Sequence, residues 1–263
     1  MTPSTVRLDG AGSSVEVATA FGPRIVGLFV HGRNLFAELP DAALAGPGGR
    51  PYRLRGGHRL WAAPEVPEVT YQPDDEPCLV SANGDGVRVE APPDGAGLAK
   101  VIEIAGTVDG WILDHTIANH GAAPVTVAPW AITQLRPGGR FALAFAGHGE
   151  GLQADRSLVL WPYTDPTDAR LSLTADAVAV EAPPVGPPLK VGVAGGAGWA
   201  RYELDGTRFE KRISSGRGAP TADLGAALQV YVCAGFGELE TLGPLAEVPP
   251  GASVTHRESW RVS

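Results

Sequence analysis

Glu238 and Glu240 stand two residues apart in Phe236-Gly-Glu-Leu-Glu-Thr-Leu-Gly-Pro244, directly after the apolar run Leu228–Cys233. In an extended chain, residues i and i+2 project to the same side. The two carboxyl groups therefore lie on one face, about 6–7 Å apart. A carboxylate facing an apolar cleft has a raised pKa unless a cation pairs with it. It then serves as a general acid or base, or accepts hydrogen bonds from vicinal hydroxyls. The same pair at a solvated strand end would do neither. Leu228, Val230 and Val232 are read as sharing the face of Glu240, with Gly235 and Gly237 letting the backbone rise so that its carboxylate meets a cleft.

A second group is Arg53-Leu-Arg-Gly-Gly-His-Arg-Leu-Trp61. Two glycines permit a sharp bend and a close approach to a ligand. Around them stand Arg55, His58, Arg59 and Trp61: guanidinium and imidazole for hydroxyls, and an indole face for the C–H side of a ring. The alternative is a structural turn with an arginine paired to Glu65 or Asp74, and spacing does not separate the two. The acidic loop between Pro64 and Pro77 would accept from hydroxyls or be a solvated loop. Its Asp74, Asp75 and Glu76 leave a Ca²⁺ site open.

Period two places Trp111, Leu113, His115 and Ile117 on one face, where a histidine is either a satisfied core group or a ligand contact. It also places Trp130, Ile132 and Gln134 together in Ala128-Pro-Trp-Ala-Ile-Thr-Gln-Leu135, as an aromatic platform or a core tryptophan. Lys190, like Arg55, is read as a clamp for an anion or a hydroxyl.

The elements that must position these groups are strands. Of 263 residues, 35 are Gly and 24 Pro, spread along the chain rather than clumped, which implies many turns and short strands. Strands are expected at Pro23 to Val30, Gly86 to Glu90, Lys100 to Ile104, Trp111 to Ile117, Val125 to Leu135, Ser157 to Trp161, Leu189 to Val193, Trp199 to Leu204, Leu228 to Cys233 and Val254 to Val262. Residues 40–50 and 64–77 read as irregular, 223–227 as at most a helical turn, and Arg208 to Arg212 as a solvated strand edge. The expectation is one all-β domain over residues 1–263, with less than roughly a tenth of the chain in helix.

The net charge of −8, with no Lys/Arg cluster, excludes a nucleic-acid footprint. Neither an 18-residue apolar run nor an apolar leader near Met1 is present, so the reading is a cytoplasmic protein with no membrane partner. Cys78 and Cys233 match no metal spacing and read as reduced thiols. No cofactor and no structural metal are expected, and the oligomeric state is a monomer or homodimer.

The ordered set of motifs resembles the galactose mutarotase-like (aldose 1-epimerase-like) superfamily, most of all a bacterial branch of it. The motifs are Gly56-Gly-His-Arg-Leu-Trp61, the Pro64 to Asp74 loop, Pro129-Trp-Ala-Ile-Thr-Gln134, Glu238-Leu-Glu-Thr-Leu-Gly-Pro244 and the Pro250 to Trp260 strand. The resemblance implies a supersandwich of two large, mainly antiparallel packed sheets with a sugar-sized cleft on one of them. It maps the family's glutamate base onto Glu240 and an arginine of its hexose-phosphate relatives onto Arg55. It places Trp130 where the family's ring-oxygen acid, a histidine, would stand. An indole N–H cannot cycle a proton at neutral pH, so an ordinary mutarotase would need His58 or His115 as its acid.

Three functions are compatible with these residues. One is an epimerase, isomerase or lyase acting on a sugar or sugar-like ring, with Glu240 as base, Glu238 or His58 as partner, and Arg55, Trp61, His115, Trp130, Gln134 and Lys190 binding substrate. Another is a carbohydrate-binding protein that has lost the acid. The third is a tailoring enzyme on a non-sugar small molecule.

Overall fold

A computed structural model of the chain describes residues 5–145, 152–195, 198–213 and 220–263; the first four residues of the N-terminal segment lie outside it. Among the described residues the chain forms a 12-stranded and a 10-stranded sheet, with every neighbouring pair antiparallel. Helix among the described residues is confined to the four-residue turns Pro67–Thr70 and Ala222–Gly225 and a 3₁₀ turn at Pro47–Gly49. No helix among the described residues is long and apolar enough to cross a membrane. The dispersed glycines and prolines account for this, because proline breaks a helix interior and glycine weakens it.

Across the centre of the larger sheet run four neighbouring strands, Pro51–Ala63, Val125–Leu135, Phe236–Leu242 and Leu228–Cys233, followed by Leu189–Val193. The smaller sheet centres on Thr207–Ile213, Ser253–Val262, Gly110–Asn119 and Leu98–Thr107. The main core lies between the sheets. Val230, Val232 and Leu239 of the larger sheet pack there with Leu113, Ile117, Phe209 and Trp260 of the smaller. A second apolar cluster, with Tyr52, Leu54, Trp61, Trp130, Ile132 and Leu242, lies on the other face of the larger sheet. That sheet is thus covered on both sides, and its central strands read as near-continuous apolar runs.

Two expectations fail. Residues 38–45 are not irregular: Glu38–Ala45 is a strand paired to Pro51–Ala63 across a bulge between Leu39 and Ala43. Pro40 is accommodated because this is an edge strand with one partner. Arg208 to Arg212 is not a solvated edge. It belongs to Thr207–Ile213, which is paired on both sides and buries Phe209, Lys211 and Ile213. A lysine side chain is tolerated there because Glu258 neutralises it, as described below.

Candidate functional site

The site is assembled by cross-strand register. In the ladder, Trp61 faces Trp130, which faces Leu242. One rung on, Arg59 faces Ile132, Ile132 faces Glu240, and Glu240 faces Gln229. On the third rung Gln134 faces Glu238, Glu238 faces Tyr231, and Tyr231 faces Lys190. Alternation puts all of these on the face away from the main core, since Leu60, Leu239 and Val230 between them point inward.

The long cations cross between rungs, a diagonal that such side chains span easily. Lys190 Nζ reaches Glu240 Oε2 at 2.8 Å, and Trp130 Nε1 donates to the same oxygen at 2.8 Å. Arg59 Nη2 and Gln134 Nε2 both donate to Glu238 Oε1, each at 2.9 Å. The Arg59 guanidinium lies 4.0 Å from the Trp61 ring centroid, and the Lys190 ammonium sits between Trp130 and Trp161, at 4.6 and 4.7 Å.

Above this floor is a cavity of about 340 Å³, within the range of small-molecule sites. Its walls are mostly aromatic: Trp61, Tyr71, Trp130, Trp161, Tyr163 and Tyr231. The polar groups on it are Arg59, Glu65, Lys190 and Glu238. Glu240 is fully buried and lies beneath Lys190 and Trp130. Burial pushes its carboxyl up to about 7; the Lys190 charge opposes this and the Glu238 charge adds to it. Glu240 Oε1, Gln134 Oε1, Trp61 Nε1 and two Arg59 nitrogens have no hydrogen-bond partner among the described residues. A buried polar atom left unpaired costs about 1–3 kcal/mol, so their concentration under one cavity marks a place where stability is subordinate to something else.

Trp61, Trp130, Gln134, Lys190, Glu238 and Glu240 are therefore brought together. Arg55, His58 and His115 are not. Arg55 turns away to Asp74 at 3.1 Å and Asp75 at 2.5 Å, the structural pairing that spacing had left open. It borders a separate groove of about 740 Å³ with Glu38, Asp41 and Arg53. That groove is larger, but it lacks the cluster of unpartnered buried atoms that distinguishes the tryptophan-lined cavity. Asp74 also takes Arg24 at 2.7 Å, so these carboxylates are spent on arginines.

His58 is turned to the opposite face by the residues before it. Arg55, Gly56 and Gly57 all have positive φ (55°, 82° and 76°). Tyr52 and Leu54 face the cavity side ahead of this kink, and Arg59 and Trp61 face it afterwards. The kink thus shifts the alternation by one residue. A Cβ on Gly56 or Gly57 would collide with the carbonyl oxygen of Ala37 or Ile25, so the close approach the glycines permit is to neighbouring backbone.

His58 then meets His115 between the sheets, Nε2 to Nε2 at 2.8 Å. His115 Nδ1 must donate to the His256 carbonyl at 3.3 Å, so its Nε2 accepts from His58, whose Nδ1 accepts from Thr133 at 2.9 Å. Burial holds His58 well below, and His115 below, the ordinary imidazole value. Donor atoms of His58, His115 and Glu258 lie within 4.8 Å of one another. Two zinc-bound nitrogens would stand roughly 3.3 Å apart at tetrahedral angles, whereas these two are hydrogen-bonded to each other. Lys211 Nζ, 2.8 Å from Glu258, supplies the positive charge. This is a closed hydrogen-bond network, not a ligand shell.

Of the cavity residues, Trp161, Tyr163 and Tyr231 went unnamed as candidates, and Arg59 was named only in the group around the two glycines, with no place among the catalytic or substrate-binding residues. Two had a signal: Arg59 shares the period-two face of Trp61, and Tyr231 follows from pairing Leu228–Cys233 with Phe236–Leu242 as a tight hairpin. Trp161 and Tyr163 follow a three-residue strand in a loop, and no local pattern points to them.

No protein-family model and no curated protein sequence matches this chain. Solved structures do match it along its whole length. A galactose mutarotase-like protein from Lactobacillus casei ATCC 334 aligns with TM-score 0.59 at 10% identity, covering 99% of this chain and 100% of that one. A candidate aldose 1-epimerase from Escherichia coli K12 aligns with TM-score 0.57 at 16% identity, covering 99% of both. A galactose mutarotase-like protein from Clostridium acetobutylicum aligns with TM-score 0.53 at 10% identity, covering 99% and 95%. With two large antiparallel sheets and this coverage, the chain has the galactose mutarotase-like fold that its motifs implied.

Proposed function

We propose that this protein is a carbohydrate-active enzyme of the epimerase or isomerase kind, using a cleft carboxylate as general base on a cyclic sugar. The observation that carries the reading is the pair of carboxylates under one aromatic cavity, each held through a single oxygen by a cation and a neutral donor. A carboxylate so fixed is oriented yet keeps a free acceptor position. Aromatic faces suit the C–H side of a pyranose, while Arg59, Lys190 and Glu238 suit its hydroxyls. The solved structures of the same fold include proteins described as aldose 1-epimerase candidates and galactose mutarotase-like proteins, which makes a small sugar the substrate class to test first.

Of the two carboxylates, Glu238 is the one on the cavity wall, and it is assigned the base that meets substrate. Glu240 lies one layer beneath. The test is exchange between anomers or epimers, followed by NMR across a panel of aldoses. Exchange should accelerate with the wild-type protein. Glu238→Gln should slow it at least ~100-fold with affinity largely kept, as expected for loss of a general base. A protein that binds sugars in calorimetry but leaves every exchange rate at the buffer value would be a binding protein. The indole of Trp130 on Glu240, where the resemblance calls for a histidine acid, is the feature favouring that second reading.

A further inference from the structure

If the protein turns over a cyclic sugar, a proton must reach the ring oxygen as the base removes one from the anomeric hydroxyl. Neither histidine considered for that task is available, since His58 on the inner face of the larger sheet and His115 on the smaller sheet are buried between the sheets and hydrogen-bonded to each other. Trp130 gives its N–H to Glu240 and has no second proton to cycle. Tyr71 gives its hydroxyl to Glu65. On the described cavity walls this leaves Lys190, Tyr163 and Tyr231 opposite Glu238.

We propose that Lys190 is the group that exchanges a proton with the ring oxygen, and that Glu240 beneath it is a positioning residue; the proposal rests on the epimerase reading above. The first support is register. Lys190, Tyr231 and Glu238 occupy one rung on three adjacent strands, so the lysine and the carboxylate stand two strand spacings apart, roughly 9–10 Å at the backbone. Their side chains can close from opposite sides on one ring lying over Tyr231. The second support is how the ammonium is held. One N–H is committed to Glu240 Oε2, and the charge is sandwiched between the Trp130 and Trp161 rings. The other two N–H groups have no protein acceptor among the described residues. Among the described residues neither Tyr163 nor Tyr231 is held by a charged partner, Tyr231 being set against the Cys233 thiol, and burial makes both weaker acids than an ordinary phenol.

The step balances without a further reactant. Glu238 takes the anomeric hydroxyl proton, the bond between the anomeric carbon and the ring oxygen breaks, and its electron pair goes to that oxygen. The oxygen takes a proton from Lys190 Nζ, leaving an open-chain aldehyde, a protonated Glu238 and a neutral amine. Rotation about the bond between the first two carbons and reversal of both transfers close the ring with the other configuration.

The discriminating variant is Lys190→Arg, which keeps the positive charge beside Glu240 but carries a guanidinium that does not give up a proton. Exchange should fall at least ~100-fold, the lower range for losing a general acid, with sugar affinity by calorimetry within about threefold. In Lys190→Ala, added methylammonium should restore exchange in proportion to its concentration, which a purely structural role for the lysine would not produce. Should Lys190→Arg run at the wild-type rate, or Tyr163→Phe or Tyr231→Phe abolish exchange while methylammonium leaves Lys190→Ala unchanged, the proposal is overturned and the epimerase reading stands. A wild-type protein that accelerates no exchange overturns both together.

Discussion

A buried lysine–glutamate pair lies against each face of the larger sheet, one on its own strands and one on the facing strands of the smaller sheet; both are closed at 2.8 Å, and the two are electrostatic opposites. On the inner face, Glu258 accepts from Lys211 and Thr241 through one oxygen and from Trp260 through the other. Lys211 also donates to the carbonyls of Ala131 and Leu239, at 3.2 and 3.3 Å. Although burial opposes ionisation, these donors and the cationic partner hold the Glu258 carboxyl down at about 2. On the outer face, Glu240 has one oxygen satisfied and one bare, with the like charge of Glu238 close by, and it rises to about 7. Burial is nearly complete at both pairs, so burial is not the distinguishing variable. Saturation of the carboxylate is, and the unsaturated pair is the one under a cavity.

The largest expected effect separates the pairs by stability. Lys211→Met leaves Glu258 charged and unpaired in the core and should cost about 3–5 kcal/mol. Lys190→Met leaves a carboxyl that takes up a proton near neutrality, and should cost less than about 2 kcal/mol at pH 6.5. Urea unfolding of both variants checks this; equal losses would remove the contrast.

Acid should act on the inner network next. His58, His115 and His256 all have folded-state values below the ordinary 6.5, with His256 down at about 3, chiefly through burial. The unfolded chain therefore takes up protons first as pH falls. The stability these groups contribute is present above about 6.5 and is lost below it, at about 1.4 kcal/mol per pH unit for each histidine. Glu258 adds to the loss between 4.5 and about 2. Urea midpoints that stay level from pH 7 to 5 would mean that the network does not hold its histidines neutral.

Glu240 should slope the other way. Its folded value of about 7 lies above the ordinary 4.5, so its contribution is fully present below 4.5 and is lost as pH rises through 7. Glu240→Gln removes this opposing slope. Stability should then climb more steeply between pH 4.5 and 7, by up to about 1.4 kcal/mol per unit. An unchanged pH profile would place Glu240 with Glu258 rather than opposite it.

The smallest effect belongs to Trp130→Phe. Its indole N–H is a donor that lowers the Glu240 value. Without it, Glu240 should titrate at higher pH, by up to about one unit, given the roughly 1 kcal/mol worth of such a hydrogen bond. Carboxyl-carbon NMR reads this directly, and a downward shift would contradict the assigned geometry.

Much of the architecture was legible because it depends on local pattern. Leu189–Val193, Trp199–Leu204 and Leu228–Cys233 appear with the bounds the sequence implied, as turn residues and β-branched runs dictate. The shared faces of Trp111, Leu113, His115 and Ile117, of Trp130 and Gln134, and of Glu238 and Glu240 follow from period two alone. What went astray was the side each face met. Leu228, Val230 and Val232 point into the main core, whereas Glu240 faces Gln229 across the hairpin and lies on the opposite side. No backbone rise at Gly235 or Gly237 is needed to bring it there; alternation suffices.

Period two therefore fixed which residues stand together, but not which side of the sheet the second sheet would cover. That choice is made by long-range packing, as is the pairing of Lys190 with a carboxylate fifty residues away. The one-residue shift at Arg55, Gly56 and Gly57 is of the same kind. Read as an uninterrupted strand from Tyr52 and Leu54, His58 falls on the cavity side. The backbone of Ala37 and Ile25 packs so closely there that only glycine fits at positions 56 and 57, and the kink turns His58 into the core and Arg59 onto the site.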